Sequence, residues 1–173
     1  MEGEEASFFV LCNGQKLLPI GTAQDHKRVG DGDTGPNTGG MGAYSPAPIL
    51  TEKIEDSVIE EIIKPTLHEM ERRGAPYQGV LYAGLMIKDE KARLVEYNAR
   101  FGDPECQPLM MRLGAQVLDL LIATSNGDLD ECHISWADDH ALCVVMASIG
   151  YPGKIKEGSI IKGVRNLSSS SSQ

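Results

Sequence analysis

Ala92-Arg93-Leu94-Val95-Glu96-Tyr97-Asn98-Ala99-Arg100-Phe101-Gly102-Asp103-Pro104-Glu105 opens as an alternating apolar run and closes in a polar stretch bearing glycine and proline. The alternation predicts a β-strand as far as Tyr97. Successive side chains of a strand point to opposite faces, so Glu96 and Asn98 project to one side and Tyr97 to the other. A carboxylate and an amide oxygen roughly 6.5–7 Å apart along a strand can grip one hard cation between them. Mg2+ (or Mn2+) takes oxygen ligands and usually only one or two carboxylates, completing its shell with water and phosphate oxygens. Arg100 lies two residues further on at the same parity. If the strand persists that far, its guanidinium can hold a phosphoryl group bound by the same metal. The alternative is an ordinary polar strand end entering a loop.

Composition sets the frame around this stretch. The chain has 173 residues, about one domain, and 41% of them are hydrophobic, enough for a core. A net charge of −9 excludes the basic surface that nucleic-acid binding needs. No apolar run approaches the roughly 18 residues of a membrane span. The acidic start Met1-Glu2-Gly3-Glu4-Glu5 is neither a secretory signal nor a transit peptide. Cys12, Cys106, Cys132 and Cys143 lack paired spacing, as expected of reduced thiols in a cytoplasmic setting, an organellar one staying open. Cys132, His133, His140 and Cys143 match no common zinc pattern.

Along the chain the pattern is α/β (α+β). Glu5–Leu11 reads as a strand, and Asn13-Gly14 is a two-residue hairpin signal before Lys16–Ile20. Thr51 is placed to cap a helix whose apolar face is Ile54, Val58, Ile62 and, beyond, Leu67 and Met70. Pro65 inside that pattern should kink or divide it. Gly79–Lys88 reads as a buried strand that Asp89-Glu90-Lys91 turns into Ala92–Tyr97. A helix over Gln116–Thr124 carries Val117, Leu118, Leu121 and Ile122 and ends at Asn126-Gly127. Ala141–Ala147 is almost wholly apolar, which predicts a strand buried on both faces.

Gly30, Gly32, Gly35, Gly39, Gly40 and Gly42, with Pro36, form a second conspicuous segment. Glycine at this density carries an entropic penalty and lets main-chain N–H groups come close to an anion, as in a concave nest. The spacing is neither a Walker loop nor a dinucleotide fingerprint. With Asp25-His26-Lys27-Arg28 just ahead, two readings stand: a long mobile surface loop, or the lining of a pocket for an amine substrate.

Arg100–Glu105 resembles the signature of the phosphoribosylamine–glycine ligase family, the glycinamide ribonucleotide synthetases of the ATP-grasp superfamily. Three further blocks are similar to the same family and in its order. They are Ala23–Arg28 with Gly35–Pro46, then Gly79–Met86, then Met146–Gly153. The resemblance implies a partial ATP-grasp fold, a mixed or antiparallel sheet flanked by helices, without the amino-terminal domain and lid. Residues 1–148 would be the second part of the ATP-grasp domain. Residues 149–166 would begin the carboxy-terminal domain, and 167–173 would be a disordered serine-rich tail. The chain is thus expected to be a fragment, inactive alone and prone to associate. Whether its parent carries other purine-pathway domains stays open.

The chemistry so implied joins glycine to 5-phosphoribosylamine at the expense of ATP, giving glycinamide ribonucleotide, ADP and phosphate through an acyl phosphate. Glu96 and Asn98 would hold Mg2+, and Arg100 would steady the transferred phosphoryl group. Glu5 would contact the ATP ribose, with Glu4 as the alternative register. Asp25, Lys27, Arg28, Asn37, Thr38, Gly39 and Gly40 would line the phosphoribosylamine pocket. Asp103 would touch substrate or, the favoured reading, order its loop. Many ATP-grasp enzymes add a metal-binding acid on the preceding strand. Tyr82–Ile87 carries none, so the number of metals stays open. Two rivals are a non-catalytic nucleotide-binding remnant and another ATP-grasp carboxylate–amine ligase.

Overall fold

The computed structural model of the chain describes residues 1–14 and 16–163, so the tail expected at 167–173 and the end of the 149–166 segment lie outside the described residues. Six antiparallel strands form one sheet in the order β5-β4-β1-β2-β3-β6. They are β1 (Glu4–Asn13), β2 (Leu17–Gly30), β3 (Thr34–Ser45), β4 (Gln78–Lys88), β5 (Lys91–Asn98) and β6 (Ala141–Val144). Central β1 is apolar on both faces, and its alternation divides the interior into two cores. Ala6, Phe8, Val10 and Cys12 meet Leu81, Ala83, Leu85 and Ile87 of β4 under the first helical layer. Phe9 and Leu11 face the other way, against Tyr82, Ile20, Leu109, Leu113 and Leu120.

The first layer is α1 (Glu52–Val58), a π-helical turn (Ile59–Ile63) and α2 (Lys64–Arg72). Pro65 falls in the first turn of α2, where a missing N–H matters least, and the wider π-turn ahead of it absorbs the mismatch. The helix is therefore divided at the expected place. The Ile62 carbonyl accepts from Thr66 Oγ1 at 2.9 Å and from Tyr97 Oη at 3.0 Å. Thr51 stands at the N-cap position, but its side chain makes no capping hydrogen bond. The second layer is α3 (Cys106–Leu113) and α4 (Gln116–Asn126), the latter closed by Gly127 in the left-handed conformation, as its sequence predicts. Of the expected apolar residues of α4, Val117 and Leu121 pack on the core beside the buried Leu120, whereas Leu118 and Ile122 are exposed. No helix among the described residues is long and apolar enough to cross a membrane.

Two expectations are corrected. The glycine-rich segment is largely strand: after a short turn at residues 31–33, Thr34–Ser45 pairs with β2 through Gln24↔Tyr44, Asp25↔Ala43 and Arg28↔Asn37. Ala141–Ala147 is not a doubly buried strand. Only Ala141–Val144 pairs, at the sheet edge, with Leu142 66% and Val144 69% exposed.

Candidate functional site

Strand parity gathers the polar residues on the α3/α4 face. Glu5 and Ser7 share the parity of Phe9 on β1, and Asp25 and Lys27 share that of Ala23 on β2. Tyr82 and Gly84 on β4 lie opposite Asn98 and Glu96 of β5. Glu5, Ser7, Asp25, Lys27, Tyr82 and Glu96 line one cavity of about 130 Å3. The register slips between Gly84 and Leu85, so Val95 is the extra residue of a bulge and both Val95 and Glu96 turn to the cavity. Tyr97 points to the helical layer, as alternation requires, and leaves Asn98 beside Glu96, Nδ2 to Oε1 3.1 Å. A Cβ on Gly84 would stand 3.3 Å from Glu96 Cγ, so the bare residue gives the carboxylate its room.

A second hollow of about 430 Å3 adjoins the first, and Glu5, Asp25 and Lys27 wall both. Its far side carries His26, Arg28 and Asn37. Between the two hollows, Lys27 Nζ donates to Glu5 Oε2 at 2.6 Å and stands 3.9 Å from Asp25 Oδ2. Burial pushes the Asp25 carboxyl up to about 6, with Glu105 assisting, Lys27 opposing and Glu5 assisting. Burial by itself would lower the Lys27 ammonium, yet the Glu5 hydrogen bond and the surrounding carboxylates outweigh it and raise its pKa.

Sequence reasoning did not assign Glu105, which is 2% exposed. Its Oε1 lies 2.9 Å from Ser7 Oγ, which also lies 3.0 Å from Tyr82 Oη. Ser7 has a single hydroxyl proton. Given to the Glu105 carboxylate, it leaves the Tyr82 phenol to donate in turn to Ser7. Burial, then the Glu105 charge, drives the Tyr82 pKa upward, which keeps that phenol protonated. The one sequence signal was Gly102: a Cβ there would lie 2.3 Å from Glu105 Oε2, so the carboxylate occupies the space of the missing side chain.

The other expected residues fall as follows. Arg100 is beyond the end of β5, so the strand does not persist to it; its Nη1 donates to Phe101 O at 2.7 Å, and the side chain is exposed. Asp103 Oδ1 accepts from Gln107 Nε2 at 3.2 Å, ordering the entry to α3. Arg28 Nη1 donates to Gly35 O at 2.7 Å, across the hairpin. Thr38 Oγ1 donates to Lys27 O at 2.8 Å and accepts from Gly40 N at 3.0 Å. Gly39 N donates to Tyr151 Oη at 3.3 Å. The Gly39 and Gly40 amides are thus engaged within the chain rather than splayed toward an anion. Gly40 itself packs on Pro104, and Gly84 on Glu96, so blocks far apart in sequence meet around one site.

The phosphoribosylglycinamide synthetase ATP-grasp (A) domain family model matches residues 1–106. A phosphoribosylamine–glycine ligase of Brucella melitensis is 56% identical over 98% of this chain, which spans 40% of that protein's length. A chloroplastic phosphoribosylamine–glycine ligase of Arabidopsis thaliana is 56% identical over 95% of this chain and 31% of that protein. The crystal structure of phosphoribosylamine–glycine ligase from Thermotoga maritima superposes with a TM-score of 0.81 at 33% identity, over 90% of this chain and 39% of that one. The polar cluster described above thus sits on a partial ATP-grasp fold, and the chain belongs to the phosphoribosylglycinamide synthetase ATP-grasp (A) domain family.

Proposed function

We propose that this chain carries the metal, nucleotide and amine-substrate walls of a ligase that couples ATP cleavage to joining glycine and 5-phosphoribosylamine. The observation that carries the reading is the pair of adjoining hollows divided by Glu5, Asp25 and Lys27, with Glu96 in one and Arg28 and Asn37 in the other. A reaction that first activates a carboxylate with a phosphoryl group and then admits an amine needs two such compartments sharing a wall.

Glu96 and Asn98 are side by side, both hard oxygen donors, and no group of three or more Cys, His, Asp or Glu residues suited to a metal occurs among the described residues. One carboxylate and one amide fit Mg2+, which draws its other ligands from phosphate and water. Asn98 would turn its amide oxygen inward to join Glu96 in holding it. Bound there, the ion would neutralise charge on the transferred phosphoryl group. Glu5, on the wall shared by the two hollows, would accept from a ribose hydroxyl, and Lys27 supplies the positive charge of the partition. Arg100 would have to leave the Phe101 carbonyl to reach a phosphate. Arg28 and Asn37 face the second hollow, where the amine substrate's own phosphate would find a guanidinium. Thr38, Gly39 and Gly40 shape that wall through the β2–β3 hairpin rather than by binding directly.

Isothermal titration of the chain with Mg·ATP tests the nucleotide half. Glycine-dependent ADP release by a full-length ligase carrying this segment tests the whole. Saturable Mg2+-dependent ATP binding with glycine-dependent turnover is expected. Binding with no glycine dependence would reduce the chain to a nucleotide-binding module.

A further inference from the structure

Asp25 occupies a position that neither metal binding nor nucleotide binding accounts for. Its side chain is 5% exposed, it walls both hollows, and its nearest cation, Lys27, is held more closely by Glu5. Behind the floor, Glu105 is a second buried carboxylate, fixed by the Ser7 hydroxyl and tucked over Gly102. It lines neither hollow. An amine that attacks an acyl group must shed a proton from nitrogen. The acceptor has to stand where the compartment of the amine meets the compartment of the acyl phosphate. Asp25 stands there.

We propose that Asp25 is the proton acceptor for the attacking amine and that Glu105 is a positioning residue which sets its basicity by charge from beneath the floor. The proposal rests on the ligase reading above for the identity of the amine. In the step, the amine nitrogen forms a bond to the glycyl carbonyl carbon. The carbon–oxygen bond to phosphate breaks and phosphate leaves with the electron pair. The nitrogen's proton passes to an Asp25 carboxylate oxygen. Glu5 from β1, Lys27 from β2, Tyr82 from β4 and Glu96 from β5 line the first cavity with Asp25, and the charge of Glu105 at the start of α3 acts on it from beneath; Glu4, His26, Arg28 and Asp33 border the second hollow. Lys27 favours the ionised carboxylate, while burial, Glu105 and Glu5 favour the protonated one. A carboxyl balanced in this way can take up a proton near neutrality, which an ordinary aspartate with a pKa of about 3.9 does poorly.

The test has two arms. In the first, the Asp25 carboxyl carbon is followed by NMR against pH in the 173-residue chain. Glu105→Gln keeps the acceptor oxygen for Ser7 but removes the charge, and should lower the Asp25 midpoint by about half a pH unit or more. Ser7→Ala removes the hydrogen bond but keeps the charge, and should shift the midpoint less. An unmoved midpoint in Glu105→Gln, or an equal shift in both variants, overturns the charge coupling. In the second arm, a full-length ligase carrying this segment is assayed for ADP release against pH. Asp25→Asn should lose about 100-fold or more in kcat, and Glu105→Gln should move the acid limb to lower pH. An acid limb that stays put in Glu105→Gln overturns the assignment of the base. If the unsubstituted ligase shows no glycine-dependent turnover, the ligase reading fails and the proton-acceptor role with it, while the NMR arm still decides the charge coupling.

Discussion

Gly40→Ala should destabilise the chain far more than the same change one residue earlier. Gly40 has φ of +127°, a backbone conformation that side chains rarely adopt, and a Cβ there would lie 2.3 Å from Pro104 Cδ. Holding a non-glycine residue in such a region costs about 1–3 kcal/mol. Forcing an atom into a packed contact costs about 1–3 kcal/mol more, because the Pro104 ring cannot rotate away as a flexible side chain would. The two together give about 2–6 kcal/mol. Gly39 is the internal control. Its Cβ would meet only Tyr151 Oη, at an ordinary 3.7 Å, so alanine there should be near neutral. Gly32, at φ +68° with nothing within 4 Å, isolates the backbone contribution and should lose about 1–2 kcal/mol. Urea unfolding followed by the fluorescence of Trp136, the one tryptophan, would rank the three variants. At this chain length a gap of 2 kcal/mol between Gly40→Ala and Gly39→Ala corresponds to about 4–8 °C in Tm. Coincident midpoints for those two variants would refute the contact between β3 and the 103–104 loop. A Gly32→Ala loss as large as that of Gly40→Ala would place the effect in the backbone and not in the overlap.

Glu96→Ala in a full-length ligase carrying this segment should lower turnover by several orders of magnitude and weaken Mg·ATP binding. An unchanged rate at limiting Mg2+ would remove Glu96 from the metal site. Arg100→Lys in the same protein should also be poorly active, since an ammonium cannot reproduce a planar fork against phosphate oxygens; near-normal ADP release would make Arg100 structural. Because the folded chain keeps a proton on Asp25 up to a pH of about 6, it binds more protons than the unfolded chain between roughly pH 4 and 6. Stability therefore falls as pH rises through that window. Asp25→Asn should flatten the fall, measured as urea midpoints at pH 4.5 and 7.5, and an equal fall in both proteins would contradict it. Burial pushes the Cys12 thiol up to about 12, so among the four cysteines it should resist iodoacetamide in the native chain at pH 8 and react only on unfolding. Mass mapping of the alkylated peptides would show this.

Much of the fold could be read from local patterns because those patterns report what each segment buries. Phe8-Phe9-Val10-Leu11 is apolar at both parities, and the strand it forms is covered on both faces. Asp89-Glu90 takes the positive φ values that close a tight β4–β5 hairpin. The failures share a cause as well. Glycine density points to a mobile loop or an anion nest and not to a strand, because glycine is depleted in strands. Here Gly40 and Gly42 sit in β3 because Pro104 and the Cys143 carbonyl approach so closely that a Cβ would overlap them. That requirement is tertiary and leaves no local trace. The apolarity of Ala141–Ala147 alone predicts a doubly buried strand, yet among the described residues β6 has a neighbour on one side only. The eight residues of α3, with Pro108 among them, are too short a window for helical periodicity to declare itself.

The site divides along the same line. That Glu96 and Asn98 share a face follows from alternation within one strand, and the structure places them side by side. That Glu105 belongs beneath the floor does not follow from any local rule, because an acid in a polar loop is expected in water. Its partner Ser7 is 98 residues away. What joins them is register. The β1–β4 pairing sets Ser7 opposite Gly84 and Phe9 opposite Tyr82, and the β4–β5 pairing sets Gly84 opposite Glu96. A shift of one residue in either pairing would turn Ser7 or Glu96 to the α1/α2 face and dissolve the cluster. The two aromatic rings stacked at 4.8 Å, Phe9 and Tyr82, lie at this crossing. The hydrophobic contact that pins the register thereby also fixes the polar floor. Core packing and site geometry are in this fold one constraint, which is why substitutions at Phe9 should disturb the site as well as the stability of the sheet.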